Sequence, residues 1–165
     1  MKKLLKNGKR VIKDNSILLS IVLFALFIRL IGIGRGYPFI FNIDEPALVR
    51  STLGIRFNPV IDHFDWPHFN YYFNYIFYWL FIKFRGVIQI LNLRGSAESV
   101  FPILWDDPFV FYFLSRIVSA VLGALTIIPV YFFAKKILGK EYGYFSALVL
   151  SVAPFHVKLS HMALQ

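Results

Sequence analysis

Charge is scarce in this chain, so charged residues in unusual company are the first candidates for chemistry. Asn42-Ile43-Asp44-Glu45-Pro46 sets two carboxylates side by side shortly after an uncharged stretch. Such a pair can divide labour. One carboxylate meets a substrate as general base, or as a ligand for a metal or an acceptor amine, while its neighbour points elsewhere and orients it. The same residues also suit a helix start, where Asp44 caps and Glu45 favours the positive end of the dipole. Both readings hold together, because a cap position fixes the direction of a carboxylate. Arg116 is the second candidate. It interrupts an apolar run, where a cation costs about 2.5–3.5 kcal/mol on insertion scales. Near the outer end of a membrane helix it would bind an anion in the headgroup layer, a phosphate above all. The structural alternative is snorkelling, or pairing with Asp106 or Asp107.

Asp62-His63-Phe64-Asp65-Trp66-Pro67-His68 places two Asp and two His within seven residues. Asp65 and His68 are candidates for a substrate or metal contact, as is His161. The spacing matches no closed metal site, so no metal is assigned and a divalent ion is left as a possible cofactor. A polar rim beside aromatic anchors is the plainer reading of this segment, and His156 after Pro154 suits an interface. Lys135, Lys136 and Lys140 read as a solvated basic turn. The crowd of Tyr71, Tyr72, Tyr75, Tyr78 and Trp79 reads as interfacial packing before it reads as a sugar-stacking platform. There is no Gly-rich phosphate loop, no Ser-His-Asp arrangement and no nucleotide-binding fingerprint.

The elements that must position these residues are membrane helices. The chain is 58% hydrophobic and 16% charged, more apolar and less charged than a soluble domain. The net charge of +9 does not point to nucleic acid. Six of the 18 basic residues (Lys2, Lys3, Lys6, Lys9, Arg10 and Lys13) crowd the first thirteen positions, directly before an apolar run. That is the positive-inside signal of a cytoplasmic N-terminus. With no cysteine, disulfides and Cys-ligated metals are excluded. The expected architecture is all-α and polytopic. It has a basic tail (1–15), a first transmembrane helix (16–33) and an extracytoplasmic loop with membrane-lying helices (34–107). A second transmembrane helix (108–134), a cytoplasmic turn (135–141), a third transmembrane helix (142–159) and the start of a second outer loop (160–165) follow. Arg29 is expected to snorkel at the outer end of the first span. The short helix after Asp44 closes at Gly54. Phe69 to about Phe84 is short and polar for a span and is expected to lie at the interface, Asn70 and Asn74 sharing one face; a full crossing that runs into 88–93 is the alternative. A signal peptide cut near Gly34 is the rival reading of the first span.

Four local patterns together resemble the C-superfamily integral-membrane glycosyltransferases, nearest the protein O-mannosyltransferases and the aminoarabinose transferases. Asp44-Glu45 resembles the acidic pair of their first outer loop. Asn58-Pro59 and Trp66-Pro67 followed by Tyr71-Tyr72 resemble the loop and membrane-lying helix after it. Arg116-Ile117-Val118-Ser119-Ala120-Val121-Leu122-Gly123-Ala124-Leu125-Thr126 resembles their arginine-led second span. Ala153-Pro154-Phe155-His156 and Ser160-His161-Met162-Ala163 resemble the exit of their third. The resemblance implies a polyprenyl-phosphate-linked sugar as donor and a protein, lipid or polysaccharide as acceptor. Asp44 would be base or acceptor-orienting group in an inverting transfer, with Glu45 beside it and Arg116 on the carrier phosphate. Where the aminoarabinose transferases carry Glu-Lys-Pro this chain has Asp65-Trp66-Pro67, without the phosphate-facing lysine. The family continues with many more spans and an acidic residue just past the position of Gln165. The chain therefore reads as an N-terminal fragment expected to have little activity alone. A non-catalytic membrane subunit, or a component of a lipid-carrier transporter, is the alternative; there the acids would line a path or contact a partner.

Overall fold

The computed structural model describes residues 2–37, 39–40, 42, 44–59, 68–90 and 109–162. Among them every regular element is a helix: α1 (Lys2–Leu30), α2 (Asp44–Gly54), α3 (His68–Ile90), α4 (Phe109–Leu125), α5 (Ile127–Leu138), α6 (Lys140–Val152) and α7 (Pro154–Ser160). The chain divides into two compact units, 1–32 with 120–161, and 33–119 with 162–165.

Phe109–Leu138 forms a 30-residue helical run with a mean hydropathy of 2.2, long and apolar enough to cross a membrane. Its break at Thr126 has a cause in the sequence. Pro129 has no N–H to give to the carbonyl of Leu125 four residues back, and Thr126 Oγ1 turns back to donate to Gly123 O at 2.8 Å. Three such spans are expected from the sequence, and one of them is met by this test of length and hydropathy. Among the described residues this is the one helix that qualifies, and Ser16–Leu30 is a shorter apolar helix. The run expected as a third span is two helices, because Pro154 disfavours the α conformation of the residue before it. Ala153 accordingly sits at φ −58°, ψ 115°, between α6 and α7.

In the first unit, α1, α5 and α6 pack on Leu18, Ile21, Ala25, Ala124, Ile127, Tyr131 and Ala147. The buried face of α6 is a stripe of small residues, Gly143, Ala147 and Ser151, which lets backbones approach closely as they do in lipid. α1 runs unbroken through the basic residues expected as a separate tail; from Lys9 to Ile31 there is neither Gly nor Pro to stop it. α5 likewise carries Lys135 and Lys136 into its last turn, where cations favour the dipole. Gly139 ends it at φ 102°, a conformation costly for any side chain.

In the second unit, α2 lies on α3 through Leu48, Ile55 and Tyr71, with Tyr75 alongside. α3 spans 23 residues, longer than the run from Phe69 to Phe84 expected for it. Its buried positions are Tyr71, Asn74 and Tyr78, while Phe69, Ile76, Leu80, Phe84 and Val87 are exposed. The face turned inward is the polar one and the face turned outward is apolar, the reverse of a helix on a soluble protein.

Candidate functional site

Asp44 and Glu45 open α2, but Asp44 is not the cap that its position suggested. The cap oxygen is Asn42 Oδ1, which accepts from the Asp44 backbone N–H at 3.3 Å, the pattern of an Asx cap two residues ahead. With the cap supplied by Asn42, the Asp44 side chain is released from that duty. It is exposed and makes no hydrogen bond or ion pair among the described residues.

Glu45, by contrast, is 1% exposed. Its two oxygens accept a forked pair from Arg116, Nε to Oε1 at 2.9 Å and Nη2 to Oε2 at 2.7 Å. The remaining side of the guanidinium donates from Nη1 to the carbonyls of Ile33 and Arg35, at 3.0 and 2.9 Å. Arg116 is itself 4% exposed, and the ring of Phe109 lies 5.3 Å from its Cζ. Four of its five N–H donors are therefore engaged, and one N–H on Nη2 has no partner among the described residues. The bidentate fork is the strongest geometry available to an arginine–carboxylate pair. It ties α4 to the start of α2 and to the turn that follows α1. The two adjacent acids are thus sorted: Glu45 is neutralised by its ion pair, and Asp44 is exposed with no hydrogen bond or ion pair from its side chain among the described residues.

Behind this pair, the hydroxyls of Tyr78 and Ser115 are hydrogen-bonded across α3 and α4, and the Tyr78 ring lies 5.0 Å from that of Phe111. Burial pushes the Tyr78 phenol above its ordinary range, so it serves as a neutral hydroxyl. Sequence reasoning took Tyr78 as interfacial packing and assigned Ser115 nothing. It also gave no role to Asn42, whose Nδ2 is buried without a partner among the described residues, two residues before Asp44. The signal for Asn42 was present in the sequence: an Asn ahead of an acid-rich helix start is a cap.

His68 is the first residue of α3 and half-buried. Asp65, Asp62, His63, Asp106 and Asp107 lie outside the described residues. His161 follows α7 in the first unit and is half-buried, its Nε2 enclosed without a hydrogen-bond partner among the described residues. Among the described residues no three His, Cys, Asp or Glu side chains gather as a metal site requires.

A second polar centre, within the first unit, surrounds Arg29. This residue was expected to snorkel; it is fully buried. Its Nη1 donates to Ala25 O and Ser151 O at 3.0 Å each, and its Nη2 reaches Leu150 O at 3.4 Å. Leu150 O would be the acceptor of residue 154 in a continuing helix, and Pro154 has no N–H. The arginine therefore caps the carbonyl end of α6, where a cation also meets the negative end of the dipole. Its Nη2 further donates to His156 Nδ1 at 2.8 Å. Since that nitrogen accepts, the ring proton sits on Nε2 and points to Thr126 Oγ1 at 3.2 Å.

Comparison with known proteins gives a family match over about the last third of the chain. The profile of the family dolichyl-phosphate-mannose-protein mannosyltransferase matches residues 112–165. The matched stretch holds Arg116, Arg29's partners on α6 and α7, and His161; it does not reach Asp44, Glu45, Asp65 or His68. It supports a membrane glycosyltransferase of mannosyltransferase type. No curated protein and no solved structure matches the chain.

Proposed function

We propose that the chain carries part of a glycosyltransferase site that moves a sugar from a polyprenyl-phosphate carrier to an extracytoplasmic acceptor. The observation that carries this reading is the unequal state of the two acids: Asp44 is exposed, its side chain without a partner among the described residues, beside a Glu45 paired with Arg116 at 2.7 Å. Asp44 takes the proton of the acceptor nucleophile as the latter attacks the anomeric carbon. The bond from that carbon to the carrier phosphate breaks on the opposite face, so configuration inverts. Glu45 and Arg116 hold the start of α2, and the free N–H of Arg116 meets an oxygen of the leaving phosphate, whose charge develops in the transition state. Asn42 Nδ2 is placed to orient the acceptor. The family match over 112–165 supports the sugar-transfer chemistry. The apolar outward face of α3 supports a helix lying in the outer membrane interface, beside the carrier headgroup. In this reading the protein is multi-pass in the plasma membrane, with its basic N-terminus cytoplasmic.

The test is Asp44→Asn in the native membrane protein. Transfer is expected to fall by about 10²–10⁴-fold, the usual contribution of a general base, while binding of the polyprenyl-phosphate sugar is retained. Undiminished transfer by that variant would remove Asp44 from the chemistry and shift the weight to a non-catalytic membrane subunit.

A further inference from the structure

The unit 33–119 holds a groove of about 820 Å³ that no step of the proposed reaction uses. Leu53, Tyr75, Ile82, Val87 and Phe111 give it apolar walls, and Trp79 lies along it. Among the described residues its charged lining side chains are Arg56 and Lys83, and no acid lines it. Both cations are exposed. Lys83 Nζ stands 5.6 Å from the centre of the Trp79 ring and Arg56 Cζ 5.8 Å from that of Phe57. Neither has a carboxylate partner among the described residues.

A trough of hydrocarbon character with two unpaired cations is complementary to one kind of molecule. A soluble anion would leave the apolar walls wet, and a neutral hydrocarbon would leave both charges unused. An amphiphile with an anionic head and a hydrocarbon tail satisfies both. The volume falls within the range of about 300–1,000 Å³ usual for small-ligand sites, enough for a fatty acyl chain. Lys and Arg beside aromatic rings also mark the headgroup level of a bilayer. We infer that this groove binds an anionic glycerophospholipid, with Arg56 and Lys83 on its phosphate and an acyl chain along Trp79 and Phe111. The inference rests on the membrane-lying placement of α3 given above and is independent of the transfer reaction.

Trp79 makes the test direct. With Trp66→Phe and Trp105→Phe, it is the one remaining tryptophan of the three in the chain. The protein is placed in phosphatidylcholine nanodiscs containing a minor fraction of either brominated phosphatidylglycerol or brominated phosphatidylcholine, and Trp79 quenching is titrated. The anionic lipid is expected to quench at roughly tenfold lower mole fraction, as two cations at a lipid surface would produce. Arg56→Gln with Lys83→Gln should abolish the difference, and Arg56→Lys with Lys83→Arg should keep it. Equal quenching by the two lipids, or a preference that survives loss of both charges, would overturn the inference. So would displacement of the brominated phosphatidylglycerol by an equimolar polyprenyl phosphate, which would give the groove to the carrier. Asp44→Asn should leave the lipid preference unchanged; equal quenching by the two lipids in a parent protein with intact transfer would defeat the groove alone.

Discussion

At the residue scale, the central fact is that adjacent acids in one short motif have opposite surroundings. Glu45 is buried and forked to Arg116; Asp44 is solvated. A buried ion pair is costly to break from one side, because the survivor is left charged and unpaired, typically at about 3–5 kcal/mol. Arg116 would also release the carbonyls of Ile33 and Arg35. Glu45→Gln and Arg116→Met are therefore each expected to lower thermal stability in detergent by an amount in that range. The double variant should be destabilised by less than the sum, since the second change removes the orphan left by the first. Additive losses in the double-mutant cycle would mean that the pair is not coupled. Asp44→Asn, in contrast, is expected to unfold within about 0.5 kcal/mol of the parent, as an exposed substitution without partners should. That separates a loss of transfer from a loss of fold.

At the scale of elements, the prolines explain where helices stop, and a cation explains why one of those stops is tolerated away from water. The carbonyls freed around Ala153 are taken by Arg29 from α1. The approach of α4 to α7 in the same unit depends on the absence of a side chain at Gly123. A Cβ built there would collide with Ser160 Oγ and lie 3.3 Å from Arg29 Nε. Gly123→Ala is thus expected to cost about 1–3 kcal/mol by overpacking, with the unfolding temperature of the membrane-embedded protein as the readout. Ser160→Gly in the same chain should recover most of it, whereas Gly34→Ala, where a Cβ meets nothing within 4 Å, should be near neutral. A Gly123→Ala protein as stable as the parent would show that α7 can yield.

At the scale of the whole molecule, the proposed topology has a direct measurement, because the chain contains no cysteine. Single cysteines at Lys136 and at Arg50, both exposed, can be labelled in sealed cells by a membrane-impermeant thiol reagent. Arg50→Cys is expected to react from outside, and Lys136→Cys only after permeabilisation. Reaction of both from the same side would reject the N-in arrangement with an extracytoplasmic α2. The helical class itself was legible in the sequence, since long apolar runs without Gly or Pro can satisfy their backbones in lipid only as helices. Helix ends were legible where punctuation is chemical, as at Gly139 and Pro154. The run from Phe69 reads as short because Lys83, two residues before Arg85, bounds it in the sequence. Both stay within α3, since a cation on an exposed face need not stop a helix. The sequence by itself determined which residues were too costly to be incidental: two acids beside a membrane and an arginine within an apolar run. It could not determine their partners. Arg116 takes Glu45 from 71 residues away and Arg29 takes carbonyls 121 and 122 residues away. Periodicity and propensity act over a few turns, whereas such pairings exist only once the chain has closed those loops. Only the tertiary structure decided that Glu45 is neutralised while Asp44 stays exposed.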